Sequence, residues 1–439
     1  MRGLYIFRYE WKHFSRSPFK VVALLLFMAA AIYGLHTGAN LYHQQTNEIE
    51  RILSKTELDR QEYINYYEQG EKGPKERPWI DVRVPFWAIW YNNVYHFKTP
   101  SPALVYAIGQ TEQYGFYKRV TFMASPYDAD MTNEITNPER LQSGTLDFTF
   151  SILYLLPLLL LILVYNIKSA ETEQGIFPLI EVQVASSATW LFSRMAFYSS
   201  LLFLSLLALL VYGALLTDPA VVADSAFRQM LLFAGLYLIF WSVIFYVIIW
   251  SGQKIIGNTL KMVGIWMFFA FIVPASVQQW ISIQRPTNLM TAFIDATREE
   301  RQSIYNLPDS TIQEMLHELF PEIQESSLAK KGTNNLDAMN RSVYGLVSER
   351  LKQGIALIEA DNDIKNKMIQ SSFWYNPIAF FQNRFNRISE SHYDDYKDYR
   401  SEIQRLIDKQ IRIMVLDTWN EVTVDKTKFT QYQLDLKTL

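Results

Sequence analysis

The chain has 439 residues, 49% hydrophobic and 15% aromatic, with a net charge of −3. That balance carries no signal for nucleic acid, and no dense basic stripe appears. There is no cysteine, which excludes disulfides, thiolate metal sites and cysteine nucleophiles together.

Residues 1–20 read as an amphipathic helix on a membrane surface. In "MRGLYIFRYEWKHFSRSPF", Leu4, Phe7, Trp11 and Phe14 recur at steps of three and four, forming one apolar stripe flanked by basic residues. An N-terminal extension of the next segment is the alternative, but Pro18 favours a break. The first apolar run, 21–38, follows Arg2, Arg8, Lys12, Arg16 and Lys20. A signal peptide would look similar. This basic region is long and aromatic, it carries Glu10, and no small-x-small cleavage site follows, so an uncleaved span is expected.

Four more apolar, uncharged runs follow at 148–167, 196–216, 230–250 and 262–283. Each can cross about 30 Å of hydrocarbon, and five of them are hard to bury in one soluble core. The expected fold is an α-helical polytopic membrane protein with five transmembrane helices and large, mainly helical extracytoplasmic domains. By the positive-inside rule the N-terminus is cytoplasmic. Alternation then places 39–147 outside, 168–195 inside, Thr217–Phe227 outside, "SGQKIIGNTLK" inside and 284–439 outside.

The insertion at 39–147 opens with good helix formers, "NLYHQQTNEIERILSKTELDRQEYINYYEQ", and is broken by Gly70, Gly73, Pro74 and Pro78. An aromatic, proline-rich stretch follows that suits short strands or irregular packing at the membrane surface. In the C-terminal region, "TNLMTAFIDATREERQSIYN" reads as helix, followed by a helix pair or bundle around Asn335–Gln370 and Asn386–Asp417.

Catalytic motifs fail one by one. Gly252–Thr259 has the glycine spacing of a phosphate-binding loop, but Asn258 stands where the lysine is needed. "HELFPE" is not the HExxH of a metalloprotease, and no G-x-S-x-G elbow appears. His36 and His43, seven apart, read as interfacial histidines more readily than as metal ligands. No metal site is expected, and no cofactor bound by this chain. The apolar runs contain no charged residue, which argues against a proton or ion pathway. Pro157 and Pro274 fall inside the second and fifth runs and bend them; bends suit a gated path and also ordinary packing.

Between the second and third runs lies "KSAETEQGIFPLIEVQVASSATWLFSR". The chain resembles the membrane subunits of ABC transporters of the ABC-2 type, in the bacterial branch with a large insertion after the first span. Glu171, Glu173 and Gly175 match an acidic–glycine pattern in this loop, and Arg194 stands at a basic position that opens the third span. "RYEWKHFSRSPF", "YGLHTGANLYHQQ", "SPALVYAIGQTEQYGFYKRV", "GIWMFFAFIVPA" and "FWYNPIAFFQNRFNRISESHYDDYKDYRSEIQ" match elsewhere, in order.

The resemblance implies a permease subunit of an exporter in the bacterial inner membrane, not itself an enzyme. Glu171, Thr172, Glu173, Gln174, Gly175, Ile176 and Phe177 would form a coupling helix docked on a separate ATPase subunit, which holds ATP and Mg, and Arg194 would belong to the same ATPase-coupling set. A second permease copy or a sister permease would complete a dimer, with membrane lipid around it and a periplasmic partner as a further option. The family usually has six spans, and five are found here. Two other readings stay open: an ABC-driven scaffold or mechanotransmitter for envelope partners without transport, and a non-ABC membrane sensor or assembly protein.

Overall fold

The computed structural model describes residues 2–127, 146–184, 186–252, 254–286, 302–331 and 335–437. It is 78% helical, with two three-residue strands, Tyr95–Phe97 and Tyr117–Arg119, paired antiparallel. Among the described residues five helices are long and apolar enough to cross a membrane: Pro18–Gln69, Phe148–Glu173, Ser187–Thr217, Ser225–Ser251 and Ile255–Gln284. The chain is an α-helical polytopic membrane protein.

The spans pack around one apolar cluster that includes Leu35, Leu160, Leu202, Leu206, Trp241 and Phe245. The second span is the most enclosed and the fifth the most exposed. The N-terminal helix, Arg2–Ser15, is separate from the first span, which starts at Pro18 with proline at a position where a missing N–H costs nothing.

The first span does not end near residue 38. It continues without a break to Gln69, 52 residues in all, or about 78 Å at 1.5 Å per residue. The helix expected to open the insertion is therefore the same helix as the first span. Nothing in 39–69 breaks it, and Gly70 ends it in the left-handed conformation at φ 68°.

Gly34 and Gly38 let other backbone approach this helix. A Cβ on Gly34 would lie 2.6 Å from the Asp147 carbonyl carbon, and one on Gly38 would lie 2.6 Å from the Val105 oxygen. Asp147 then starts the second span. Its carboxylate accepts from the amides of Phe150 (2.7 Å) and Ile108 (3.2 Å).

Both prolines come after π-helical segments. Ser151–Leu155 precedes Pro157, and Phe268–Ile272 precedes Pro274. Widening the helix by one residue is how each absorbs the missing N–H.

The insertion and the C-terminal region form one body. Ile89, Val94 and Phe122 share a core with Ile403, Trp419 and Phe429. The Val424 amide donates to the Arg83 carbonyl (2.7 Å), and Lys426 pairs with Glu68 on the long first helix (2.6 Å). Four spans separate the two regions in sequence, an even number, so both emerge on the same face of the bundle.

The helix pair in the C-terminal region has different bounds from those expected. The first helix is Leu336–Ser371. The second starts only at Tyr393, because Ser389–Ser391 break the chain and the His392 side chain caps the helix that begins at Tyr393. Asn386 belongs instead to a distinct helix, Pro377–Ile388. Its Ile378, Phe381 and Phe385 join the cluster of the spans, and Phe381 meets the Tyr237 ring edge-to-face at 4.8 Å. Most of the expected helix "TNLMTAFIDATREERQSIYN" lies outside the described residues.

Candidate coupling loop and its ionic base

At the end of the bundle that carries the N-terminal helix, three charged groups and a tyrosine are buried together, with a fourth charge, Glu171, half-buried beside them. Arg194 stands two turns into the third span, which begins at Ser187 and not at 196. Its Nε donates to Glu10 Oε1, and its Nη1 donates to Glu171 Oε1 and to the Ile167 carbonyl (2.9 Å). Tyr198, one turn further, donates to Glu10 Oε2 (2.9 Å). Lys20 donates to the Tyr198 hydroxyl (3.2 Å) and to the Leu163 carbonyl (2.6 Å). Glu10 and Lys20 are 0% and 3% exposed, Arg194 5%. Two carboxylates face two cations, and each charge has hydrogen-bonding partners, the condition under which burial is tolerated. Beside them burial, then Lys20, hold the His13 pKa below the ordinary value, against the opposing pull of Glu10.

This network corrects two expectations. The apolar runs are uncharged as bounded, but Lys20 and Arg194 fall just beyond those bounds and inside the folded spans. The apolar stripe of the N-terminal helix is also divided. Phe14 is buried and Phe7 packs on Phe197 at 5.6 Å, whereas Trp11 is 55% exposed. Glu10, three residues after Phe7 and four before Phe14, occupies the buried face between them. The side chain of Leu4 lies outside the described residues.

Glu171 to Phe177 is not one helix. A short helix, Ser169–Glu173, ends at Gly175, and a second, Phe177–Gln183, comes after it. The Gly175 amide donates to the Thr172 carbonyl (3.1 Å) and the Ile176 amide to Glu171 (2.9 Å). This pair closes a Schellman turn that requires φ > 0, and Gly175 sits at 73°. Pro178 pre-sets the first turn of the second helix. Along the hairpin Ile176, Leu179 and Val182, spaced by three, are 43%, 64% and 87% exposed. Thr172 turns back to its own helix, its hydroxyl on the Lys168 carbonyl, while Gln174 is exposed.

The loop is tied to the fourth and fifth spans by their own unsatisfied termini. Lys168 Nζ donates to the Trp250 carbonyl (2.7 Å) in the last turn of the fourth span. Glu173 accepts from the Ile255 amide (2.8 Å) that opens the fifth. A cation therefore meets a C-terminus and an anion meets an N-terminus, both complementary to the helix dipoles. Between them Asn258 donates to Ser169 Oγ (2.6 Å), with both side chains buried. A Cβ on Gly252 would lie 1.5 Å from Asn258 Oδ1, so glycine is required there.

Of the residues singled out in sequence, the structure brings Glu171, Glu173, Phe177 and Arg194 to one place, with Phe7 and Phe14 beside them. Pro157 and Pro274 lie elsewhere in the spans. Glu10, Lys20, Lys168, Ser169, Tyr198 and Asn258 were not anticipated. Glu10 alone left a signal, as a charge at helical spacing within an apolar stripe. Among the described residues no cluster of histidine and carboxylate side chains is arranged to hold a metal. Comparison with protein-family models, with curated proteins and with solved structures finds no match to this chain.

Proposed function

We propose that this chain is the permease subunit of an ABC exporter of the ABC-2 type, moved by a separate ATPase subunit that docks on the loop at residues 169–183. The observation that carries this reading is the hairpin around Gly175: an exposed apolar ridge of Ile176, Leu179 and Val182 on a base bonded to every span. Such a ridge in water is unfavourable unless a partner covers it. A push on it reaches the second span directly, the third span and the N-terminal helix through Arg194 and Glu10, the first span through Lys20 on Leu163 and Tyr198, and the fourth and fifth through Lys168 and Glu173. Arg194 acts in this reading as a transmitting residue behind the contact, since its guanidinium is buried.

The same reading places the N-terminus in the cytoplasm of a bacterial inner membrane, the large soluble body outside, and a second permease copy or sister permease beside this one. The bends at Pro157 and Pro274 then lie in spans available to a gated path.

The test is co-purification of the intact protein with its ATPase subunit from its native host. Leu179→Asp and Val182→Asp should abolish co-purification and leave the melting temperature in detergent unchanged, since both side chains are exposed. If no ATPase accompanies the wild-type chain, or the substitutions leave the pair intact, the proposal fails.

A further inference from the structure

At the opposite end of the bundle a pocket of 280 Å³ opens between the first turns of the fourth span and the Pro377–Ile388 helix. Its rim carries Arg384, Arg387, Asp224 and Glu390. Arg387 is already paired with Asp394 (2.7 Å). Arg384 has no carboxylate partner among the described residues; its guanidinium lies over the rings of Phe233 and Phe380, at 5.8 and 5.4 Å. Among the described residues the rim charges outside an ion pair are thus Arg384 on one wall and, on the others, Glu390 and Asp224, whose carboxylate also caps the fourth span by accepting from the Ser225 amide (2.5 Å).

The pocket also meets the lipid-facing surface. Phe233 is two turns inside the fourth span, and below it Leu232, Leu236 and Ile239 are 57%, 43% and 58% exposed. At the start of the Pro377–Ile388 helix Trp374 and Tyr375 are exposed, the residue types that settle at headgroup level. A solute bound here has its polar part in the pocket and room for apolar chains along the span. The volume suits a headgroup, being smaller than most pockets for whole small molecules.

We propose that this pocket binds the zwitterionic headgroup of an aminophospholipid, with the phosphate on Arg384 and the ammonium against Asp224 and Glu390. A lipid with a phosphate but no amine would set its only charge beside two carboxylates. The site would pin the Pro377–Ile388 helix, and with it the soluble body, to the leaflet on that side. It does not depend on the transport reading.

The test is native mass spectrometry of the full chain, delipidated in mild detergent and back-titrated with phosphatidylethanolamine, phosphatidylglycerol or chain-free phosphoethanolamine. Phosphatidylethanolamine should be retained about tenfold better than phosphatidylglycerol, a difference of about 1.4 kcal/mol, and chain-free phosphoethanolamine should not be retained. Arg384→Gln should lower phosphatidylethanolamine retention about as much, and Arg384→Lys should restore part of it. Glu390→Gln, on an exposed side chain, should narrow the preference over phosphatidylglycerol. Equal retention of the two lipids, unchanged retention in Arg384→Gln, or equal binding of chain-free phosphoethanolamine would overturn the proposal.

Discussion

Arg194 and Glu10, 184 positions apart in the chain, form a buried ion pair in which the Glu10 side chain is wholly enclosed and that of Arg194 is 6% exposed. The pair fastens the N-terminal helix to the third span, and through the second carboxylate, Glu171, to the foot of the loop. An amphipathic helix held only by lipid would slide along the membrane; this one is fixed at a defined point.

Removing one partner leaves the other charge buried and uncompensated. Arg194→Met is expected to cost about 3 kcal/mol or more. The double substitution Glu10→Met, Arg194→Met should cost clearly less than the two single substitutions summed, because Glu10 is no longer left as an orphaned charge, and the loss of the cation beside Glu171 is already counted in the Arg194→Met single variant. Unfolding in detergent by denaturant, read as a double-mutant cycle, checks this. Additive costs would mean that the N-terminal helix is held by its apolar contacts alone.

The spans were visible in the sequence because a run of about twenty uncharged apolar residues has few other destinations. Their ends were not. Lys20, Glu171 and Arg194 look like flanking polar residues until the fold supplies their partners from segments over 20 and up to 184 residues away. The loop was visible by its semi-polar composition, yet Gly175 read as one small residue in a helix, while its left-handed φ divides the segment in two. The Pro377–Ile388 helix, too short to span, gave no sign of packing against the spans. Its Phe381 and Phe385 look like the face of any soluble amphipathic helix.

Gly34 and Gly38 make a G-x-x-x-G in an apolar helix, a spacing usually associated with helix pairing in membranes. Here it admits the backbone of Asp147–Phe148 and of Val105. Backbone cannot rotate away as a side chain can, so alanine at either position must push whole segments apart. Gly34→Ala and Gly38→Ala should each destabilise by about 1–3 kcal/mol. Gly257→Ala, with open space around it, should be stabilising or neutral. Melting temperatures in one detergent compare the three; equal effects would refute the close approach.

Asp147 introduces a pH dependence. Burial pushes its carboxyl from the ordinary 3.8 up to about 6, against the two amide donors that favour the charged form. A raised folded pKa means that the folded state holds the proton more tightly. The associated stability is present below about pH 3.9 and lost as pH rises through about 6. Asp147→Asn keeps a cap oxygen and removes the titration. The wild-type chain should lose stability relative to Asp147→Asn between pH 4 and 6.5, by on the order of 2 kcal/mol. Parallel stability–pH curves for the two proteins would exclude this.

Pro157 and Tyr237 are coupled across the second and fourth spans. Proline lacks the N–H that would otherwise bond the carbonyl four residues earlier, Leu153. That carbonyl instead accepts from the buried Tyr237 hydroxyl at 2.6 Å, while the Leu156 amide reaches back five residues to Ser151. In hydrocarbon an unsatisfied carbonyl has no water to turn to. Tyr237→Phe should therefore cost about 1 kcal/mol, within the range of hydrogen bonds between membrane helices. In a Pro157→Ala background the restored N–H can take the Leu153 carbonyl, and the same Tyr237→Phe change should cost little. Unfolding of the four proteins in one detergent gives the coupling energy; a Tyr237→Phe cost that is unchanged by Pro157→Ala would mean that the hydroxyl is not serving the carbonyl the proline releases.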